Sequence, residues 1–292
     1  MENLLRPIYQ KRTSHPDTLG MILIEKKKPD SPITDNFDVI LLIIVTHART
    51  NWQEEHYEYD GKTAVMHTIT EELLLKWIDT NGYRKAIEWI MSGEIIFDRD
   101  QYVSRFKEEL KTFPHEKRDL RKVIEFGKLL KSYFEVRDLY NTGQYKDAFA
   151  RMVHSLHYLA RLAVIEKGYY PEVTLWKQVK KIDPEVNRLY EELIESKEDL
   201  PERVQLMMLA ADFAISRRTK GSAKHLLDIM SEKDGSWSFD ELKHQPGVKP
   251  YEFDLASMLN YLGEKGMVTT EKFETEAANV YQRQYKYNPY EI

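Results

Sequence analysis

Residues 18–45, TLGMILIEKKKPDSPITDNFDVILLIIV, hold two apolar runs separated by a charged loop. Leu19–Glu25 and Phe37–Thr46 are dense in Ile, Leu and Val, the composition of strands buried on both faces. The longest uninterrupted apolar run, Val39 to Val45, is seven residues, far below the roughly 20 that a membrane helix needs. A sheet therefore starts here, and the segments that follow must cover it.

Working outward, Glu55–Tyr59 and Lys62–Ile69 flank Asp60-Gly61, a dipeptide that suits a type I′ hairpin turn. Thr70-Glu71-Glu72 reads as a helix start, with acids in the first turn before LLLKWI. A helix is predicted over Tyr83–Met91 and a short strand over Glu94–Phe97. Together these predict a small mixed sheet with helices packed on it, an α+β unit spanning residues 1–113.

Phe113-Pro114 breaks that pattern. Helical apolar spacing then recurs in RKVIEFGKLLKSYFEVRDLY, YKDAFARMVHSLHYLARLAVIEKG and PEVNRLYEELI. Asn141-Thr142-Gly143 is a turn between helices, and Gly168 ahead of Pro171 is a stop. Asp183 before Pro184 is an N-cap followed by proline at the first helical position. Pro201 opens a helix to Arg218. Residues 114–219 thus predict an all-α bundle. In residues 220–292, helices are expected over Gly221–Met230, Ser238–His244 and Phe253–Lys265. MVTTEKFETEAANVYQRQYKY follows as a two-stranded wing or a disordered tail. Three helices and a strand pair suggest a winged helix-turn-helix.

Composition narrows the chemistry. The 292 residues carry 43 Lys and Arg against 48 Asp and Glu, a net charge of −5, and no cysteine. That excludes a disulfide framework, a thiol nucleophile and a thiolate metal site. The first 17 residues lack an apolar core of signal-peptide length, so a cytoplasmic location is the expectation.

The stretch 18–45 resembles the core of the minimal nucleotidyltransferases. The strand–helix segment GEIIFDRDQYVSRFKEEL resembles the part that closes such domains, and the order of domains is similar to nucleotidyltransferase-like proteins of Gram-positive bacteria. The family carries Gly-Ser after its first strand, Asp-x-Asp or Asp-x-Glu on the next, and a third acid on a later strand. The resemblance implies Mg²⁺ held by carboxylates, a nucleoside triphosphate and transfer to a hydroxyl acceptor. It assigns Gly20 to the glycine and Asp38 to the second acid and metal ligand. Asn36 stands at the first acid, Asp35 is a neighbour that a bulge could bring round, and Lys26, Lys27 and Lys28 lie near the phosphates. Met21 stands where the serine belongs. The later strand offers Met66, His67, Thr68 and Ile69, none of them acidic. One acid of three is poor support for a two-metal reaction, so the expectation is an eroded site that binds a nucleotide or nucleic acid with weak or lost transfer. The competing reading is that Asn36 and Asp38 cap the start of a buried strand.

Other candidates are weaker. His47, His56 and His67 have eight and then ten residues between them and match no metal motif. Arg151 and His157 fit an Arg-x4–6-His pattern of a helical RNase family, but six residues on one helix leave them about 120° out of line. The aromatics Phe126, Tyr133, Phe134, Tyr140, Phe149, Tyr158 and Trp176 read as core before they read as a base-stacking pocket. From Ser216 to Ile292 the chain has eleven Lys or Arg against twelve Asp or Glu, which disfavours DNA as the tail's partner. The alternative function is a regulatory or scaffolding protein acting through that tail on DNA or a protein partner.

Overall fold

The structure, a computed structural model, describes residues 2–26, 32–80, 83, 85–113, 115–276 and 279–290. The chain forms two compact units, Met1–Lys117 with Tyr170–Thr174, and Arg118–Tyr169 with Leu175–Ile292.

The first unit begins with helix α1 (Glu2–Thr13), which the sequence reading left out. Strands β1 (Thr18–Glu25), β2 (Val39–Val45), β3 (Trp52–Tyr59) and β4 (Lys62–Thr70) follow, then α2 (Glu71–Thr80), α3 (Lys85–Ser92), β5 (Glu94–Asp98) and α4 (Tyr102–Thr112). The strands form one sheet in the order β3-β4-β2-β1-β5, with β2 and β4 parallel and the other pairs antiparallel. Asp60 and Gly61 both have positive φ, 50° and 70°, as the expected hairpin turn requires. The sheet is covered on both faces. Ile22, Ile40, Leu42 and Ile44 pack with α2, α3 and α4 residues such as Leu74, Trp89 and Val103. Met21, Leu23, Leu41 and Ile43 form the opposite layer with Tyr9 of α1. Burial on both sides explains why these strands read as continuous apolar runs rather than alternating ones.

The second unit contains α5 (His115–Asn141), α6 (Tyr145–Glu166), α7 (Leu175–Ile182), α8 (Pro184–Glu195) and α9 (Leu200–Ser231). The Asp183 side chain accepts the Val186 N–H at 3.2 Å, with Pro184 opening α8. After α9 come β6 (Trp237–Ser238), α10 (Phe239–Lys243), α11 (Leu255–Glu264), β7 (Val268–Glu274) and β8 (Tyr281–Tyr287), whose strands pair in the order β6-β8-β7. Ser238 and Glu241 form a reciprocal capping box at the start of α10. The strand pair is therefore the wing and not a disordered tail.

One expectation is corrected. The helices predicted on either side of residue 219 are a single helix, α9, of 32 residues. Gly221 lies inside it with nothing within 4 Å of where a Cβ would sit, so the glycine costs some helix propensity without breaking the helix. Phe126 and Tyr133 are buried in the bundle core, and Phe134, Tyr140, Phe149, Tyr158 and Trp176 pack against it.

Candidate functional site

Asp38 sits just ahead of β2, where the parallel pair β2 and β4 begins. Its backbone N–H donates to Thr63 O at 2.9 Å, and its C=O accepts from Lys26 N–H at 2.8 Å. Its carboxylate accepts the Thr63 N–H at 2.8 Å and the Thr63 hydroxyl at 3.3 Å. The Thr63 backbone donor is the main reason the carboxyl titrates below its ordinary range, with Lys26 and Lys62 adding attraction. Asp38 thus stays ionised and bridges the starts of two strands.

The residues assigned to join it do not. Strand β2 starts only at Val39, and Asn36 and Asp35 lie in the preceding turn with φ of 71° and 48°. The same-face rule for residues i and i+2 of a strand therefore does not apply to Asn36 and Asp38. Asp35 is ion-paired with Lys85 of α3 and accepts the Tyr83 hydroxyl at 3.4 Å. No bulge brings it to Asp38.

Gly20 is at the wrong end of the hairpin. Register pairs Gly20 with Ile44, whereas Glu25 pairs with Val39. Five residues of strand separate Gly20 from the Asp38 end, about 17 Å. A Cβ on Gly20 would lie 2.1 Å from Val103 Cγ2 and 3.3 Å from Phe97 O. The glycine lets α4 approach the sheet and has no part in a phosphate loop near Asp38. Lys26 is half-buried beside Asp38, while Lys27 and Lys28 lie outside the described residues.

On β4, His67 is buried against Trp89, ring to ring at 4.9 Å, and its Nδ1 accepts the Trp52 indole N–H at 3.2 Å. Burial pushes its pKa down despite nearby Glu54, which fits a neutral ring accepting at Nδ1. His56 pairs with Glu54 at 2.7 Å, and His47 is exposed at the other end of the sheet near Asp17. Among the described residues no group of three or more His, Cys, Asp or Glu could hold a metal ion. The donors present do not fit the Mg²⁺ site that the resemblance implies: Asp38 is engaged by Thr63 through Oδ2, Asp35 is paired with Lys85, and no third acid joins them among the described residues.

These features lie on a chain whose relatives are recognisable. Residues 1–118 match a family model described as nucleotidyltransferase-like, residues 119–218 a YgxA-like substrate binding domain, and residues 224–287 a helix-turn-helix domain. The chain is 44% identical to the uncharacterized protein YgxA of Bacillus subtilis (strain 168) over 287 residues, covering 98% of this chain and 97% of that protein. The chain belongs to the YgxA family of nucleotidyltransferase-like proteins. A crystal structure of a nucleotidyltransferase-like protein from Exiguobacterium sibiricum 255-15 has a TM-score of 0.82 and 34% identity to it, covering 98% of this chain and 99% of that one.

Within this YgxA-family chain the remaining candidates are tied up in structure. Arg151 is ion-paired with Glu135 at 2.9 Å, and His157 meets Trp176 edge to face, so each is engaged by a partner within the bundle. In the helix-turn-helix domain, Lys249 is held by Glu252 at 2.8 Å. Arg283 faces a groove of about 740 Å³ beside α11 and β7, with Asn260, Glu264 and Asn288. No helix among the described residues is long and apolar enough to cross a membrane.

What the sequence reading missed is a cavity at the far end of the first sheet, where β2 stops. Its signal was present as Lys11-Arg12 ahead of β1 and His47-x-Arg49 after β2. Antiparallel pairing of Thr18 with Val45 brings the two basic pairs together. Without α1 in the reading, the first pair had no place.

Proposed function

We propose that this chain is a nucleotide- or nucleic-acid-binding protein on a nucleotidyltransferase-like fold, in which two-metal transfer has been lost. The observation that carries this is the condition of Asp38. The one acid at a family position is capped by Thr63, and neither Asn36 nor Asp35 joins it. Nucleotidyl transfer needs carboxylates that share metal ions and carry developing phosphate charge, and this end of the sheet supports recognition by Lys26 and Lys62 instead. In an assay with labelled nucleoside triphosphates, Mg²⁺ or Mn²⁺ and hydroxyl acceptors, the full chain should transfer no label. Equilibrium dialysis should show nucleotide or oligonucleotide binding unaffected by a chelator. Metal-dependent transfer abolished by Asp38→Asn would overturn the reading.

A second reading draws on the wing, where Lys272 and Arg283 face each other across β7 and β8. It makes the chain a regulatory protein whose tail meets DNA or a protein partner. Yet α11 carries Glu264 and no Lys or Arg, which leaves phosphate contact to the wing alone. Gel-shift titration against duplex DNA at low and moderate salt tests it; retention lost on Arg283→Ala would support DNA.

A further inference from the structure

We infer that the cavity at the carboxyl end of β2 is a second ligand site, built to take a phosphomonoester group without a metal ion. The cavity measures about 330 Å³ and its floor is Ile43, Val45 and Thr68. Around it stand Lys11, Arg12 and Arg49, with His15, His47 and Asp17. Three permanent cations line the recess with one carboxylate, Asp17, and Glu55 pairs with Arg12 alone of the three. This leaves a positive excess in a recess small enough to concentrate its field. It lies at the opposite end of the sheet from Asp38, so it is not the position where the nucleotidyltransferase resemblance places metal and triphosphate.

The wall is held in place before any ligand arrives. The Arg12 guanidinium is fixed by Glu55 at 2.8 Å and donates to Thr68 Oγ1 at 3.2 Å. The loop carrying His15 and Asp17 is tied down by Arg99. It donates to Thr18 O at 2.7 Å, to His15 O at 2.9 Å and to Thr13 O at 3.2 Å. Asp17 in turn accepts the Thr46 hydroxyl at 3.1 Å, joining that loop to the end of β2.

A helix C-terminus ordinarily repels anions through its free carbonyls. Here α1 ends at the cavity, but the last two of those carbonyls are covered. Arg12 O accepts from the Thr18 hydroxyl at 2.7 Å, and Thr13 O and His15 O accept from Arg99. Repulsion from the helix end is reduced while the cations remain. Lys11 and Arg49 are exposed, and neither forms an ion pair among the described residues. Two unspent cations beside a fixed third suit a dianionic phosphate, which accepts several charge-assisted hydrogen bonds at once. The cavity lies at the small end of ligand-site volumes, so its occupant is a phosphate group with a compact organic residue.

Recognition of phosphate stands on the cavity itself; only the nucleoside part of a ligand rests on the proposed nucleotide-binding function. Calorimetric titration of the full chain in chelator, with inorganic phosphate, AMP and adenosine, separates the two. AMP should bind, phosphate should bind more weakly, and Lys11→Gln with Arg49→Gln should weaken both by about tenfold. Asp17→Asn should tighten both by removing the opposing charge. Lys220→Gln, an exposed lysine of α9 with no assigned role, should change neither. Phosphate binding without added affinity for AMP supports the cavity as a phosphate site and counts against the nucleotide reading. AMP binding insensitive to Lys11→Gln with Arg49→Gln overturns the cavity and leaves the nucleotide reading standing. Absence of both phosphate and AMP binding at millimolar concentration overturns the inference.

Discussion

At the end of the first sheet where β2 and β4 begin, the two acids are drawn into the fold: Asp38 by Thr63, Asp35 by Lys85. At the end where β2 stops, Arg12 and Asp17 are fixed, yet Lys11 and Arg49 remain available around an open recess. Both ends contain acids and bases. The difference is whether the charges satisfy one another. Carboxylates already engaged within the protein stabilise it, and each one so engaged has less to offer a metal. Cations held nearby without a partner cost little, because they stay hydrated, and can exchange water for a phosphate. A site is recognised by what its charges still lack.

Substitutions should break this contrast in order of size. Trp89 is fully buried under the closed end, stacked on His67, and its indole N–H donates to Ile33 O at 2.8 Å. Trp89→Ala should lower unfolding free energy by about 3–5 kcal/mol, read by denaturant titration. Gly20→Ala forces a methyl against Val103 and should cost about 1–3 kcal/mol; a neutral outcome would restore Gly20 as a candidate for some role other than packing. Asp38→Ala should lower the thermal midpoint by less than Gly20→Ala. It should leave phosphate affinity unchanged, because the two ends are separated by the length of the strand.

A pH effect comes next. His67 has a pKa lowered by burial from the ordinary value of 6.5. The unfolded chain therefore binds a proton at a pH where the folded chain does not, and stability falls as pH drops below about 6.5 towards the folded value. Thermal midpoints measured between pH 7.5 and 5.5 should decline, and His67→Phe should flatten that part of the slope. The smallest effect on stability belongs to the open end. Lys11→Gln with Arg49→Gln should change unfolding free energy by no more than about 0.5 kcal/mol while weakening phosphate binding.

The strands of the sheet were legible because burial on both faces left them as runs of Ile, Leu and Val. The Asp60-Gly61 turn and the Asp183-Pro184 cap were legible because few residues tolerate those backbone positions. The site was less so. Asn36 and Asp38 look like alternate positions on a strand, and only the positive φ of Asp35 and Asn36 shows that the strand has not yet begun. Gly20 looked like part of a phosphate loop, but the antiparallel register places it beside α4. Helix α1 escaped notice because Pro7 interrupts its helical pattern. With it went the first half of the basic cavity, whose two halves are joined by the pairing of Thr18 with Val45 and by the Asp17–Thr46 hydrogen bond.

Helix α9 has a mechanical consequence. At 32 residues it is a rod about 48 Å long. Its first half buries Val204, Met207, Ala211 and Ile215, and its second half buries Ala223, Leu226, Leu227 and Met230. Trp237 of the winged domain donates its indole N–H to Met230 O at 3.0 Å. The winged domain is therefore mounted on the same shaft as the bundle, with no swivel between them. Cutting the chain near residue 219 would not release an independent module; it would split a hydrogen-bonded rod and leave each fragment with a bare apolar edge.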